Sequence, residues 1–365
     1  MIEEIKENNI CKYIYVTNIT NILNHNNLKK IAMFDLDDTI IKFTKFEDDK
    51  FQYINDNVIP KLAKLNKEYH LIIISNQLNL LKNKNHRYDN WKIKIKSLFD
   101  DFIKNKLQIE LYASVLDDMY RKPNWGLYNI IFDKYKIKPE FYCGDALGRQ
   151  GDFSDSDLKF ALNCNIQIKS PEELFLNKKR PLMKISYPEL IINFNSNNYD
   201  NNLITIPKQK EMIIIVGMPG SGKSYISAEI QSKGFIENKL YMIINRDKLK
   251  TIEKCIKYCE SNLKLNLSVI IDNTNPSLAD RKKFIDLAKK YSYQIRCILF
   301  DMPLELALHN NYYRHFKYNS LLIPKIAYNI YKSRYVKPEI KEGYKEIIKI
   351  NSISNHDYLY QKYYF

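Results

Sequence analysis

The sequence contains no segment with the character of a secretory signal or a membrane span. No apolar run approaches the roughly 18 residues that a transmembrane helix needs. Cysteine is also scarce, with six scattered through 365 residues, which argues against a disulfide framework. We therefore expect a reduced compartment inside the cell, cytoplasmic or nuclear, with no membrane partner. We also expect the chain to be a monomer.

A structural zinc site has little support in the sequence. Cys255 and Cys259 lie one helical turn apart, but no second pair of Cys or His residues accompanies them. Two ordinary thiols on a helix are the simpler interpretation. Internal repeats of solenoid length are absent as well, so the chain is not read as a repeat array.

The charge of the chain is strongly unbalanced. Lys and Arg number 57 against 42 Asp and Glu, which gives a formal net charge of +15. Such an excess attracts polyanions and speeds their encounter with the protein, especially at low salt. The alternative is compositional, because Lys, Asn, Ile and Tyr are all abundant together. Charge alone is consistent with either interpretation.

Two parts of the chain follow the same plan, in which a short apolar run leads directly into a polar motif. Residues 31–34 precede Asp35, and residues 212–216 precede Gly217. Further apolar runs alternate with helical stretches in both halves, which is typical of βαβ units and parallel sheets. The length of the chain also suits two domains of about 100–200 residues each.

Prolines and an asparagine-rich stretch interrupt this pattern between the two halves, around residues 177–211. We therefore predict a first domain over residues 1–177, a linker over 178–210 and a second domain over 211–365. Residues 13–16 are expected to add an edge strand to the first sheet. In open α/β sheets the chemistry lies at the carboxyl ends of the strands, where the polar motifs of this chain fall.

Residues 217–224 match the phosphate-binding motif G-x-x-x-x-G-K-[ST] at every fixed position. The glycines let the backbone wrap around phosphates, and the N-terminus of the following helix adds favourable partial charge. Lys223 is expected to reach the β- and γ-phosphates of ATP, and Ser224 to hold Mg²⁺. The predicted ATP-binding residues are Gly217, Gly220, Ser221, Gly222, Lys223 and Ser224.

Polar residues further along this half favour a kinase over a simple ATPase. Asp247 follows an apolar run and is a candidate base for an attacking hydroxyl, with an ordinary helix cap as the alternative. Asp272 ends another apolar run, where it would order Mg²⁺ or its water shell. Arg314 is a candidate for neutralising the transferred phosphoryl group, with a solvated helix residue as the alternative.

Two carboxylates separated by one residue, Asp35 and Asp37, follow the strand-like residues 31–34. Carboxylates this close repel one another and need a cation, which Mg²⁺ with phosphate supplies. Asp35 is placed to attack phosphorus and form an aspartyl phosphate. Asp37 is placed to protonate the leaving hydroxyl and later to deprotonate water.

Three further pieces of the first half follow in order, each at the end of a strand or loop. Hydroxyl and amide groups are candidates to hold phosphate oxygens, and they belong to Thr39, Ser75 and Asn76. Lys122 supplies a cation for the phosphate or the nucleophile. Asp145 is a further acidic ligand for Mg²⁺. Each piece alone has an ordinary structural explanation, but the ordered set predicts a phosphoryl-transfer site.

The D-x-D-x-T, Ser, Lys, Asp series resembles the haloacid dehalogenase superfamily. Longer strings at residues 120–126, 142–149, 152–157 and 159–163 are similar to the phosphatase half of the polynucleotide kinase 3′-phosphatase family. The kinase half resembles the same family through residues 217–224, 245–247, 272–276, 309–314 and 342–343. The resemblance covers roughly residues 10–350 and implies an α/β fold. The implied domains are a haloacid dehalogenase-like (Rossmann-like) phosphatase and a P-loop NTPase kinase.

The resemblance also implies roles for individual residues. It makes Asp35 the nucleophile and Asp37 the acid and base, with Ser75 and Lys122 binding the transferred phosphate. It completes the Mg²⁺ site with Asp145 and the backbone carbonyl of Asp37. In the kinase half it implies that Lys223 and Ser224 bind ATP and Mg²⁺, that Asp247 is the base toward a 5′-hydroxyl, and that Arg314 is a lid arginine.

The sequence departs from the family pattern at several positions. Asp38 stands where the family usually has Gly, Ser75 replaces a usual Thr, and Tyr312 stands where a second lid arginine is expected. The stretch after Gln77 lacks the expected glycines. Only 30 residues precede Ile31, so the forkhead-associated domain of animal members is not expected.

We consider three classes of function. The first is repair of DNA ends that bear a 3′-phosphate and a 5′-hydroxyl, with a ligase as functional partner and ATP and Mg²⁺ as cosubstrate and cofactor. RNA ends are the alternative substrate for the same chemistry. The second class is a fused small-molecule kinase and phosphatase. The third is a non-catalytic protein that binds nucleic-acid ends, with one inactive half.

Overall fold

The structure is a computed structural model that describes residues 1–19, 30–44, 49–82, 86–185, 204–351 and 357–365. The chain divides into two compact units, the first formed by Met1–Ser186 with Tyr363–Phe365 and the second by Tyr187–Lys362. The last three residues thus cluster with the first unit, whereas the predicted boundaries placed them in the second domain. Most of the predicted linker lies outside the described residues.

The first unit alternates strands and helices along the chain after an N-terminal hairpin. Its elements are β1 (Ile2–Glu7), β2 (Ile10–Thr17), β3 (Ile31–Phe34), α1 (Val58–Leu65), β4 (His70–Asn76), α2 (Arg87–Lys104), β5 (Ile109–Ser114), α3 (Gly126–Tyr135), β6 (Phe141–Cys143), α4 (Ser156–Cys164), β7 (Gln167–Lys169) and α5 (Pro171–Leu176). Helix α5 begins with a capping box in which Ser170 and Glu173 exchange hydrogen bonds.

In the described residues, the first sheet has the strand order β1-β2-β5-β4-β3-β6-β7. The strands β5, β4, β3, β6 and β7 are parallel, and β1 and β2 are antiparallel additions. Strands β3 and β5 are buried along their whole length, as expected for a sheet that is covered on both faces. Alternate residues of β3 serve two cores, with Phe34 on one face and Met33 on the other.

The second unit is built on the same alternation. Its elements are β8 (Glu211–Val216), α6 (Lys223–Ile236), β9 (Tyr241–Ile244), α7 (Arg246–Leu249), α8 (Ile252–Lys264), β10 (Ser268–Ile271), α9 (Leu278–Lys290), β11 (Gln294–Phe300), α10 (Leu304–Tyr318), α11 (Lys325–Arg334) and β12 (Glu346–Ile350). Short 3₁₀ helices cover Ile340–Glu342 and Tyr358–Gln361.

The described part of the second sheet is entirely parallel, with the order β12-β11-β8-β10-β9. Buried ion pairs tie its strands and helices together. Arg296 on β11 contacts both carboxylate oxygens of Glu211 on β8, at 2.5 and 2.6 Å. Arg281 on α9, completely buried, does the same with Glu342 at 2.8 and 2.7 Å. Paired in this bidentate way, each guanidinium has its charge compensated within the core.

The α/β class with two largely parallel sheets, predicted from the alternation of apolar runs, is confirmed. The strand predicted at residues 13–16 is present as part of β2, but it is not the edge of the sheet, because β1 pairs with β2 on the outer side. Cys255 and Cys259 are both buried in the apolar core of the second unit, as ordinary thiols would be. Within the described residues, none of the helices has the length and apolar character that crossing a membrane would require.

Candidate active sites

Three carboxylates of the first unit meet at the carboxyl ends of β3 and β6. Asp35 follows β3 directly, and its amide donates to the carbonyl of Cys143 at the end of β6, at 2.8 Å. Asp145 follows β6, and Asp157 lies in the first turn of α4. Each of the three residues offers a carboxylate oxygen within 4.8 Å of the other two. The predicted convergence of Asp35 and Asp145 is therefore present in the geometry, with Asp157 as a third member.

Lys122 lies among these carboxylates and is almost completely buried. Its ammonium group donates to Oδ1 of Asp35, to Oδ1 of Asp157 at 2.8 Å and to the Tyr142 hydroxyl at 2.7 Å. Burial lowers the pKa of the Lys122 ammonium, but the charges of Asp157 and Asp35 raise it by more. The net pKa lies above the usual range, so Lys122 carries its positive charge inside the site.

The side chain of Asn76 holds the backbone of Lys122 in place. Its amide nitrogen donates to the Lys122 carbonyl at 3.0 Å, and its amide oxygen accepts from the Lys122 backbone N–H at 2.9 Å. We predicted Asn76 as a phosphate ligand from its position after a strand. In the structure this pair of hydrogen bonds gives Asn76 a positioning role beside the site, and direct phosphate contact stays a prediction.

Asp37 faces a different partner from the three clustered carboxylates. The amide of Gln77 donates to Oδ2 of Asp37 at 2.7 Å and to the hydroxyl of Ser75 at 2.8 Å. Burial raises the pKa of Asp37, and the Gln77 hydrogen bond offsets that rise only in part. A carboxyl group that keeps its proton more readily suits the role of general acid. The Gln77 contact was missed at the sequence level, although Gln77 lies within the same motif.

The donors at the carboxylate cluster fit a magnesium ion. Asp35, Asp145 and Asp157 supply oxygen atoms only, and the single lysine charge among them compensates only part of their negative charge. Burial raises the pKa of Asp35 well above its usual range and that of Asp145 to about 7. These are the residues that would hold a hard cation. The contribution predicted for the backbone carbonyl of Asp37 stays a prediction.

Asp157 is the residue that sequence reasoning missed. It lies in the 152–157 string, where three acidic residues compete for a role. A signal was present at Gly144, because a Cβ atom there would lie 2.4 Å from Oδ2 of Asp157. Only glycine leaves room for the carboxylate to approach the end of β6. The Asp157 oxygen also accepts from the Ala146 backbone N–H at 3.1 Å, which fixes its orientation.

Asp38 and Thr39 lie in the loop that follows β3 and Asp35. The Thr39 hydroxyl, fully buried, donates to Oδ1 of Asp145 at 3.3 Å. Asp38 has a φ of 53°, a left-handed conformation that favours glycine, the residue that the resemblance predicted at this position. Its carboxylate accepts from the Phe43 backbone N–H at 2.9 Å. Aspartate tolerates this conformation better than most residues because its side chain bonds locally.

In the second unit, the phosphate-binding loop runs from the end of β8 into α6. Gly220 and Gly222 have φ values of 75° and 92°, so the motif glycines occupy conformations that other residues adopt at a cost. A Cβ atom on Gly220 would also lie 2.4 Å from the Ala307 carbonyl. The Lys223 ammonium donates to the Met218 carbonyl at 2.6 Å and to the Ser221 hydroxyl at 3.4 Å.

The electrostatic environment of Lys223 is the reverse of that of Lys122. Burial lowers the pKa of Lys223 to about 8, Asp272 and Asp247 raise it in part, and Arg314 lowers it further. Lys223 and Arg314 are thus close enough to repel one another. Two neighbouring cations of this kind form a site that gains stability from an anion such as a phosphate chain.

Asp272 is held at the end of β10 by two polar neighbours. The hydroxyl of Ser224 donates to Oδ2 of Asp272 at 2.9 Å, and the amide of Asn245 donates to the same oxygen at 2.9 Å. The other carboxylate oxygen, Oδ1, is buried and has no hydrogen-bond partner among the described residues. Leaving such an oxygen unmatched is costly. Ser224 and Asp272 therefore fit a magnesium ion as ligands or through its water shell.

Asp247 lies on the rim of a cavity of about 1130 Å³ that the loop residues share. Asn245 caps α7 and accepts from the backbone N–H groups of Asp247 and Lys248 at 2.8 and 3.2 Å, which leaves the Asp247 carboxylate exposed. The cavity is lined by Lys223, Ser224 and Asp272 together with four basic residues, Arg246, Lys250, Arg314 and Arg334. Tyr312 packs its ring against Phe316 instead, with 6.2 Å between ring centroids.

These two sites define a class of protein in which one chain carries two units suited to phosphoryl groups, one with a buried cluster of carboxylates and a lysine and one with a P-loop. Sequence comparison supports this. A family model described as "Polynucleotide kinase 3 phosphatase" matches residues 30–175, and one described as "AAA domain" matches residues 239–338.

Two relatives cover most of the chain. A bifunctional polynucleotide phosphatase/kinase of Schizosaccharomyces pombe is 36% identical over 336 residues, which span 88% of this chain and 79% of that protein. A putative protein of the same description from Acanthamoeba polyphaga mimivirus is 36% identical over 364 residues, spanning 87% and 83%. A polynucleotide 3′-phosphatase of Arabidopsis thaliana is 31% identical over 170 residues, spanning 41% of this chain and 24% of that protein. The chain belongs to the bifunctional polynucleotide phosphatase/kinase family, and the predicted resemblance is confirmed.

Proposed function

We propose that this chain heals broken nucleic-acid ends by removing 3′-phosphates in its first unit and phosphorylating 5′-hydroxyls in its second. The observation that carries the proposal is the presence on one chain of a buried Asp35–Lys122–Asp157 cluster and an open P-loop cavity. DNA strand breaks with a 3′-phosphate and a 5′-hydroxyl are the proposed substrate, and ligation is the reaction that would follow.

In the proposed phosphatase reaction, an Asp35 carboxylate oxygen attacks phosphorus and the bond from phosphorus to the 3′-oxygen breaks. The Asp37 carboxyl gives its proton to that oxygen as it leaves. Asp37 then takes a proton from the water that hydrolyses the aspartyl phosphate, which releases inorganic phosphate and restores Asp35. The raised pKa of Asp37 and its hydrogen bond from Gln77 support this division of roles.

Charge compensation in this site would come from Lys122 and from a magnesium ion held by Asp35, Asp145 and Asp157. Magnesium, when bound, supplies Lewis-acid stabilisation of the negative charge on the phosphoryl oxygens. Lys122 would donate to those oxygens from its buried position between Asp35 and Asp157. Ser75 and Thr39, whose hydroxyls are buried at the same edge of the sheet, are the proposed neutral ligands of phosphate.

In the proposed kinase reaction, ATP and a nucleic-acid end are the two substrates. The Asp247 carboxylate accepts the proton of the 5′-hydroxyl as its oxygen attacks the γ-phosphorus of ATP, and ADP leaves. Lys223 and Arg314 would neutralise the transferred group, and Ser224 with Asp272 would hold magnesium. The position of Asp247 at the cavity rim, held by the Asn245 cap, supports its role as base.

The basic lining of the cavity supports a polymer substrate over a small molecule. Arg246 and Lys250 line the cavity beyond the P-loop, Arg334 lines it in an ion pair with Asp280, and the chain carries a net charge of +15. Basic side chains that line a site beyond the reacting group suit the phosphates of a nucleic-acid backbone. RNA ends remain the alternative substrate, because the same contacts serve both polymers.

The test is an incubation with Mg²⁺ of a nicked DNA duplex that carries a 3′-phosphate and a 5′-hydroxyl at the nick, with and without ATP. We expect loss of the 3′-phosphate in both reactions and gain of a 5′-phosphate only with ATP. Processing of the matching RNA with DNA untouched would replace DNA by RNA as the substrate. If neither polymer changed, the proposal would be refuted.

A further inference from the structure

Asn163, near the end of α4, uses its side-chain amide to join two distant parts of the first unit. Its nitrogen donates to the carbonyl of Pro123 at 2.9 Å and to the carbonyl of Tyr363 at 2.7 Å. Its oxygen accepts from the backbone N–H of Tyr363 at 2.8 Å. Both amide hydrogens and the amide oxygen are therefore engaged, and Asn163 is buried.

Pro123 directly follows Lys122, the cation of the phosphatase site. The backbone of Lys122 is held on one side by Asn76, through the two hydrogen bonds of its amide. Asn163 holds the next carbonyl on the other side. Both asparagines therefore hold backbone groups of the segment that places the Lys122 ammonium between Asp35 and Asp157.

Residues 363–365 make further contacts with the same part of the first unit. The ammonium of Lys159 on α4 donates to the carbonyl of Phe365 at 2.7 Å and pairs with Asp155 at the same distance. The ring of Tyr364 is buried and lies against Trp125, with 6.0 Å between ring centroids. Each of these partners lies on α4 or in the loop that follows Lys122.

Helix α4 also carries Asp157, the carboxylate that pairs with Lys122. Residues 363–365 therefore contact the two segments that set the distance between Lys122 and its partners. Removing the backbone partners of Asn163 would leave a buried amide unmatched, which costs about 1–3 kcal/mol and favours its rearrangement.

We propose that residues 363–365 are a positioning segment of the phosphatase site, acting through Asn163 on the loop that carries Lys122. The inference rests on the proposed phosphatase activity for its kinetic readout. It adds to the catalytic site a segment that lies 200 residues away from Asn163 in sequence. The backbone of residue 363, rather than its side chain, makes the decisive contact.

A matched pair of substitutions tests this. Tyr363→Pro removes the backbone N–H that donates a hydrogen bond to the side-chain oxygen of Asn163. Tyr363→Ala keeps both hydrogen bonds between the backbone of residue 363 and Asn163. We expect the proline variant to lose phosphatase kcat by about tenfold to a hundredfold, with KM for the 3′-phosphate end little changed, because misplacement of a catalytic group costs that much. The alanine variant should stay within about threefold of wild type, and 5′-kinase activity should be unchanged in both.

Hydrogen exchange gives a second readout that is independent of activity. The backbone amide of Lys122, which donates to Asn76, and that of Gly126, which donates to the Met119 carbonyl, should exchange faster in the proline variant. If the wild-type protein lacks phosphatase activity but the proline and alanine variants still differ in exchange, the proposed function is overturned and the positioning contact remains supported. Equal exchange and equal kcat in the two variants would overturn the inference.

A double-substitution cycle guards against general damage. Asn163→Ala removes this hydrogen bond from the other side, together with those to the carbonyls of Pro123 and Tyr363, so it should lower phosphatase kcat by at least the same factor. The combined variant, Asn163→Ala with Tyr363→Pro, should be no worse than the weaker single variant if both act through one contact. Independent multiplication of the two losses, or an equal loss of kinase activity, would overturn the proposal. If the proline variant does not fold, deletion of residues 363–365 replaces it, with the same losses expected in kcat and in amide protection at Lys122.

Discussion

The two sites of this chain solve the problem of holding a phosphoryl group in opposite ways. The first is buried, with Asp35, Lys122 and Asp157 all at least nine-tenths removed from solvent. The second is an open cavity of about 1130 Å³, with Asp247 and Arg314 exposed on its lining. A hydrolase that acts on a terminal phosphate needs only a small site, whereas a kinase must admit both ATP and an acceptor end.

The two lysines express this difference most clearly. The pKa of Lys122 is raised because Asp157 and Asp35 surround it, although burial works against this. The pKa of Lys223 is lowered to about 8, because burial and Arg314 outweigh Asp272 and Asp247. The first site thus supplies its own counter-charges, while the second is built to receive them from the phosphates of its substrate. Four measurements would break or sharpen this comparison.

The largest expected effect separates the two sites completely. Asp35→Asn should lower phosphatase activity by at least about a thousandfold, because the nucleophile is lost, and leave 5′-kinase activity intact. Lys223→Ala should do the reverse. Both activities are measured on the same nicked duplex by gel. Loss of both activities in either variant, with its circular-dichroism spectrum unchanged, would contradict the independence of the sites.

A smaller effect is expected from Asp157→Asn, which keeps the shape of the side chain and removes one charge from the buried cluster. Phosphatase activity should fall about tenfold to a hundredfold and the Mg²⁺ concentration for half-maximal activity should rise, because the proposed metal site loses one of its three carboxylates. Asp133→Asn is the matched control, because Asp133 is 71% exposed in the same unit. An unchanged Mg²⁺ dependence in the Asp157 variant would exclude it from the metal site.

As pH falls, the free energy of unfolding of the second unit should decrease at a higher pH than that of the first unit. Burial lowers the pKa of His309 to about 3, so the folded unit holds this side chain neutral while the unfolded chain protonates it below about pH 6.5. Stability from His309 is therefore complete above pH 6.5 and lost as pH falls, by about 2 kcal/mol at pH 5. His309→Gln should weaken the pH dependence of the free energy of unfolding of the second unit. Urea unfolding, followed by a spectroscopic signal from the second unit, measures this.

Glu110 sets the corresponding limit in the first unit. Burial raises its pKa, but the nearby imidazole of His70, 3.8 Å away, and the hydrogen bonds from Lys134 and Tyr135 lower it by more, to about 2. Its contribution is present above about pH 4.5 and is lost as pH falls through 2. If the first unit unfolded at a higher pH than the second, these two groups would not control the acid sensitivity of the units.

The smallest effect concerns the loop after the nucleophile. Asp38→Gly removes the strain that an aspartate has in the left-handed conformation. It also removes the hydrogen bond from the Phe43 backbone N–H and increases the conformational entropy of the unfolded chain. These changes oppose one another, so we expect a shift in unfolding free energy within about 1 kcal/mol. Phosphatase activity should stay within about twofold. Thermal unfolding and initial rates measure the two quantities, and a tenfold gain in rate would show that Asp38 restrains the site.

Sequence patterns predicted the parts of this protein that depend on local order along the chain. Apolar runs followed by polar motifs predicted the strands β3 and β8 and the residues at their carboxyl ends. They failed for β1, because four of its six residues, Glu3, Glu4, Lys6 and Glu7, are charged and give no apolar alternation. Its pairing with β2 comes from the chain reversal at Asn8 and Asn9, which both have positive φ values.

The site was predictable where a motif carries the chemistry and unpredictable where side chains meet across the fold. Asp35 and Lys223 stand in patterns whose spacing implies their role. Asp157 depends on the approach of α4 to Gly144, which no local pattern encodes. Asn76 has the right position for a phosphate ligand, yet its amide pairs with the backbone of Lys122, because a loop 46 residues away folds against it.

The contact between Asn163 and residue 363 has a practical consequence for dissection of this enzyme. A fragment that stops at residue 185 retains Asp35, Lys122 and Asp157 but lacks residues 363–365. Biochemists who express that fragment alone should measure a weaker phosphatase than the intact chain provides. A fusion protein in which residues 357–365 are joined to the start of this fragment through a flexible spacer would restore the missing contact without the P-loop.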